Sequence, residues 1–163
     1  VRSRRQRQMC IRDSLQAASD RRVVGRYFDL IAPPTDGCAC WQWLGAISGR
    51  GHGRFWVGDG RVVIAHRLGW VIAHPDEQIP AVVCHECDNP GCQNPGHLHA
   101  GSLSRNRRDY VARVGVPGSP LNDTRGARGR VQALRQAARE RTDMHAAIQA
   151  GWSDLDRYQT PLW

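Results

Sequence analysis

The sequence predicts an α+β fold in which short antiparallel strands are flanked by helices. Three observations carry this expectation. From Cys38 to His66 the chain reads as short runs rich in Trp, Val and Ile (CWQWLGAI, GRFWV, RVVIAH) separated by the glycine turns SGRGHG and GDG. The segments on either side place apolar residues at helical spacings. Strands and helices do not alternate in the βαβ order that a parallel sheet needs.

Taken in order, residues 1–14, VRSRRQRQMCIRDS, hold no apolar period and resemble a translated adapter junction foreign to the protein. The alternative is a disordered basic arm that touches phosphates. Leu15, Ala18, Val23, Val24, Tyr27, Phe28 and Ile31 then describe one amphipathic helix that Pro33-Pro34 stops. Gly58-Asp59-Gly60 marks a hairpin between two of the apolar runs. Residues 67–74 form a short helix ended by Pro75, IPAVVCH at 79–85 is a further strand, and a helix follows over about 102–114. Gly115 to Pro120 is a linker, after which 124–141 and 143–150 read as helices, the second capped by Asp143 or Thr142. The chain thus divides into residues 1–14, an N-terminal helix over 15–34, a central domain over 35–114, and a linker with helical appendage over 115–163. Trp41, Trp43, Trp56 and Trp70 are assigned to the core.

Of 163 residues, 23 are basic and 15 acidic, for a net charge of +8, and every basic residue is Arg. Residues 15–101 are close to neutral, with seven Arg against eight acids, whereas residues 102–114 hold four Arg and one Asp and residues 121–141 hold six Arg and two acids. Guanidinium groups favour phosphate as a bidentate partner, so a polyanion is the expected ligand. No run approaches the roughly 18 apolar residues of a membrane span, and no charged-then-apolar leader opens the chain. The expectation is a cytoplasmic protein with no membrane partner.

The most informative stretch is HECDNPGCQNPGHLHAGSLSRN, residues 85–106. Cys87-Asp-Asn-Pro-Gly is followed by Cys92-Gln-Asn-Pro-Gly, and the next position is His97. Each Asn-Pro-Gly turn reverses the chain and returns a ligand to a common centre, so Cys87, Cys92 and His97 are expected to bind a structural zinc ion. A fourth thiolate comes from Cys40, Cys38 or Cys84. Cys40 is favoured because it opens the apolar strand CWQW, whereas Cys84 alternates to the opposite face from its neighbour in an extended segment. A set of disulfides is the competing reading, and the absence of a secretory leader disfavours it.

The order His85-x-Cys87-x4-Cys92-x4-His97-x8-Asn106, together with CWQWLGA, GRFWV, AHR and CxNPxHL, resembles the His-Cys box of ββα-metal (HNH-type) endonucleases of phages and introns. The match spans Cys38 to Tyr110, 73 of 163 residues. The resemblance implies a small zinc-stapled ββα-metal nuclease core. It implies that His85 is the general base and that Asn106 holds a single Mg²⁺-type ion against the scissile phosphate of DNA. It also implies that Arg67 of the AHR segment neutralises charge in the transition state. The sequence departs from the family at Arg105, where an acidic residue often stands, and this weakens the expected metal affinity.

The chemistry asks for the same residue types. A neutral imidazole with a pKa near ~6.5 can take a proton from water at neutral pH. A hard ion that keeps several waters can be anchored by one amide oxygen and phosphate oxygens. Arg105, Arg107, Arg108, Arg125 and Arg128 are expected to meet the DNA backbone, with Arg130, Arg135 and Arg139 extending that surface. Arg105–Asp109 and Asp109–Arg113, each four residues apart, also suit a solvated ion-pair face. The rival readings are a zinc-stabilised DNA-binding module without cleavage and a zinc scaffold whose Arg residues are surface filler. The oligomeric state stays open, a homodimer included.

Overall fold

The computed structural model describes residues 4–35, 38–154 and 156, with side chains from Ile11 onward. The expectations for residues 1–3 and 157–163 lie outside the described residues. The fold is α+β: six short strands in three antiparallel pairs, with six α-helices among the described residues.

Two helices stand where the sequence predicts one. Helix α1 spans Arg4–Ser19 and α2 spans Arg21–Phe28. Asp20 breaks them because its carboxylate accepts from the Arg22 and Val23 amides and so starts a new helix. The absence of an apolar period over residues 1–14 therefore does not prevent helix formation. Asp13 and Ser14 are buried, and Asp13 pairs with Arg61 at 3.5 Å. Ile31–Ala32 forms β1, paired with β2, Gln42–Trp43.

The hairpin forms as expected, with β3 at Arg54–Gly58, β4 at Arg61–Ile64, and Asp59 and Gly60 at positive φ in the turn. Helix α3 then starts at Ala65, not Arg67, so His66 belongs to the first turn of a helix rather than to a strand. Trp43, Tyr27, Phe55, Val63, Ala65 and Leu68 make the main core. Gly53 is required there: a Cβ would stand 2.8 Å from Ala65 Cβ and 2.9 Å from the Trp43 ring. Trp43 and Trp70 are buried, but Trp56 is 54% exposed, with the Arg26 guanidinium 5.3 Å from its ring centre. The core role expected of Trp56 is thus corrected, because it alternates outward on β3 between buried Phe55 and Val57.

Strand β5, Val82–His85, pairs with β6, Leu98–Gly101, in the register His85↔Leu98. Helix α4 spans Leu103–Arg113, with Ser102 accepting from the Arg105 amide as its cap. It buries none of its residues. Helices α5, Gly126–Glu140, and α6, Met144–Gln149, follow, the latter capped by Asp143.

Helix α5 packs against the central domain. In a Cβ-sized shell around Gly51 and Gly91 the nearest atoms include those of Val131 on α5. Arg135 and Arg139 donate to the Gly45 and Leu44 carbonyls beyond β2, at 2.8 and 2.6 Å. Those two guanidiniums therefore clamp α5 onto the central domain, which corrects their expected place on an open basic surface.

Candidate functional site

The five-residue repeat folds as two copies of one turn. Asn89 Oδ1 accepts from the Gly91 amide at 3.0 Å, and Asn94 Oδ1 accepts from the Gly96 amide at 2.9 Å. Each asparagine also reaches the segment around Cys40: Asn89 Nδ2 donates to Gln42 Oε1 at 3.3 Å, and Asn94 Nδ2 donates to the Ala39 carbonyl at 2.9 Å. Backbone bonds Trp43 N to Gly91 O and Gln93 N to Trp41 O lay the two segments side by side.

This docking gathers Cys40, Cys87, Cys92 and His97, whose ligand atoms all lie within 4.8 Å of one another. Cys92 Sγ and Cys40 Sγ stand 3.5 and 3.8 Å from His97 Nδ1. A tetrahedral ion with Zn–S of about 2.3 Å and Zn–N of about 2.0–2.1 Å would place S and N about 3.6 Å apart, so the donor set fits zinc. Cys38 and Cys84 stay outside this cluster. Cys84 is buried on β5 against Gly101, where a Cβ would meet its sulfur. Hydrogen bonds from the Cys40 and Cys92 thiols pull Cys87 down to about 4, a thiolate ready for a metal. The Cys92 thiol, donating to Cys40 and Cys87, is pushed up in turn.

The metal cluster and His85 share a residue. His85 Nε2 lies 3.0 Å from the carbonyl oxygen of Cys92. A carbonyl only accepts, so Nε2 carries the proton and Nδ1 keeps its lone pair. Burial pushes His85 down to about 4, which corrects the ordinary imidazole value expected from sequence.

His85 and Asn106 line one groove of about 760 Å³, together with Asp88, Tyr110, Arg113 and Arg128. Asn106, Arg105, Arg107 and Arg108 are exposed on α4. Arg105 pairs with Asp109 at 3.9 Å, as its spacing predicts. The other expected pair is replaced: Arg113 Nε meets Asp88 at 3.2 Å and its Nη1 donates to the Glu86 carbonyl at 2.8 Å. Arg113 thereby ties α4, which carries Asn106, to the loop that follows His85.

Two further expectations change. Arg125 spends its guanidinium on the buried Asp123 carboxylate, at 2.8 Å, and on the Ala147 carbonyl, with Arg130 on the same carboxylate at 3.3 Å. Arg125 and Arg130 therefore neutralise a buried charge within the helical segment instead of standing open to a phosphate backbone. Arg67 lines the adjoining groove but donates to the Ala81 and Pro80 carbonyls at 3.2 and 3.0 Å. Part of its hydrogen-bonding capacity thus fastens α3 to the approach to β5.

Sequence reasoning names His66 only as part of the AHR segment, assigns no role to His52, and misses that both stand beside His85. The rings of His66 and His85 have centres 4.6 Å apart, those of His52 and His66 5.3 Å, and those of His52 and His85 6.4 Å. No spacing signal could reveal them, because the three come from the loop before β3, the first turn of α3 and the end of β5.

No protein-family model matches the chain, and no solved structure matches it. Two curated proteins of Escherichia phage T7, named by number, are similar to it. Protein 2.8 is 40% identical over 73 residues, covering 44% of this chain and 49% of that protein. Protein 7.7 is 36% identical over 74 residues, covering 45% of this chain and 56% of that protein. The chain spans about half the length of the curated relatives it matches.

Proposed function

We propose that this chain is a metal-dependent DNA endonuclease that hydrolyses phosphodiester bonds and is stapled by a structural zinc ion at Cys40, Cys87, Cys92 and His97. One observation carries the reading. His85 is locked by the Cys92 carbonyl with its proton on Nε2, and it shares a groove with Asn106 and Arg128. In the reaction, His85 Nδ1 takes a proton from water, the resulting hydroxide oxygen bonds to phosphorus, and the P–O3′ bond breaks, with O3′ leaving with the bonding pair and taking a proton from solvent water. Asn106 offers its amide oxygen to a Mg²⁺-type ion, which when bound supplies charge neutralisation at the phosphate. Exposed Arg107, Arg108 and Arg128, with Arg105 beside them, hold the DNA backbone by charge without reading bases. Arg67, beside His66, supports the carbonyls of residues 80–81 and lines the adjoining groove, where its charge favours a phosphate oxygen of the bound strand.

The zinc centre does no chemistry in this scheme. Its part is to hold the Cys92 carbonyl in place against His85. Supercoiled plasmid incubated with the purified chain should be nicked or linearised with Mg²⁺ and left intact with EDTA. Salt-sensitive DNA binding without cleavage under any divalent ion would leave the binding-module reading in its place, and absence of DNA binding would leave the zinc scaffold.

A further inference from the structure

We propose that His52, His66 and His85 form a second metal site, separate from the Cys3His centre, that takes a transition-metal ion such as Zn²⁺, Ni²⁺ or Cu²⁺. Three imidazoles from three elements converge here at ring-centre separations of 4.6, 5.3 and 6.4 Å. Three imidazoles bound tetrahedrally at a Zn–N distance of about 2.0–2.1 Å have ring centres about 5.2 Å apart, the middle of that range. His66 is buried, and its Nδ1 has no hydrogen-bond partner. A buried ring nitrogen left in this state costs free energy that a metal bond would recover. His85 already donates its other ring N–H to a backbone carbonyl, the outer contact that orients metal-bound histidines. His52 and His66 line a groove of about 440 Å³, which leaves open a path for the ion and its remaining water ligands. An all-nitrogen donor set suits these ions and not Mg²⁺. The nitrogens are not yet gathered at ligand spacing, so His52, whose ring is the farthest from His85, must turn inward as the ion binds.

The ion would bond to His85 Nδ1 and so occupy the lone pair assigned to proton abstraction. A filled site therefore blocks cleavage, a consequence that rests on the endonuclease reading, whereas the site itself does not. The test loads the full chain, free of any polyhistidine tag, with one equivalent of Zn²⁺ in the thiolate centre and then titrates it with Co²⁺. The expected result is one further equivalent with visible d–d bands and no near-ultraviolet thiolate charge-transfer band. His52→Ala should weaken this second binding by about tenfold or more while its melting curve stays that of the wild type. His52→Gln serves as the second variant if the alanine form melts early. No second equivalent, a thiolate band on the second equivalent, or equal binding by the folded His52 variants would overturn the site. In the plasmid assay with Mg²⁺, excess Zn²⁺ should stop cleavage, and the His52 variant should need about tenfold more. Equal zinc sensitivity of variant and wild type would overturn the blocking role. If no condition yields cleavage, the endonuclease reading fails and the Co²⁺ titration still decides the site.

Discussion

His85 sits at the end of a strand with one ring nitrogen committed to a carbonyl and the residue half-buried. Its replacement by Ala should lower plasmid cleavage by about 10² to 10⁴, the usual cost of a lost general base, with zinc content unchanged by elemental analysis. Loss of zinc in that variant would make His85 a structural residue. Because burial holds the imidazole near 4, wild-type cleavage should stay level from pH 7 to about 5 and fall only below that. A half-maximal point near 6.5 would contradict the burial. His66 lies deeper, and desolvation, with His85 and His52 beside it, holds its pKa well below 6.5. The folded state then binds fewer protons than the unfolded state. The contribution of His66 to stability is therefore complete above about pH 6.5 and lost as the pH falls. Denaturation midpoints of the chain holding one equivalent of zinc should decline from pH 7 to 5 in the wild type, and less steeply in His66→Gln. Equal slopes would sink this assignment.

Among the elements, α4 is the one whose place depends on few contacts. It buries no residue, and Leu103, Tyr110 and Val111 on it are at least half exposed. Its anchor is Arg113, on Asp88 and the Glu86 carbonyl. Arg113→Ala should cost about 1 kcal/mol, in the range of a partly exposed, well-formed ion pair with one charged hydrogen bond. Cleavage should fall by more than the lost stability implies, because Asn106 rides on the same helix. Retained cleavage with unchanged Mg²⁺ requirement would show that α4 is held by other means. The loop repeat is the opposite case. Asn89 and Asn94 are spaced five residues apart in sequence and make the same turn in space, so the turn was legible from the residues alone.

Across the whole molecule, α5 is continuous with the domain that carries the groove. Removing residues 115–163 should expose Gly91 and the surroundings of the metal loop, where Val131 packs, and should take away the Arg135 and Arg139 clamps. Burying one such aliphatic side chain contributes about 1.5–3 kcal/mol, and for a chain of this size each kcal/mol shifts Tm by about 2–4 °C. The shortened chain should therefore melt roughly 10 °C lower and surrender zinc to a chelator faster. Unchanged melting and zinc retention would restore the appendage predicted from the linker composition.

The Cys/His spacing, the hairpin turn, β5 and the start of α4 were all readable from residues 15–114, because each depends on neighbours within one turn or one strand. Cys40 was already favoured because it opens the apolar strand CWQW, with alternation arguing against Cys84 alone, and tertiary docking by Asn89 and Asn94 selects it over Cys38. Other features had no local signature. Asp20 splits a continuous apolar period by capping, Arg125 turns from phosphate to a buried Asp123, and His52 and His66 come to stand beside His85. Local periodicity determines which face an element presents. Only the packing of elements far apart in sequence decides which side chains a groove brings together and which charges are already spoken for within the fold.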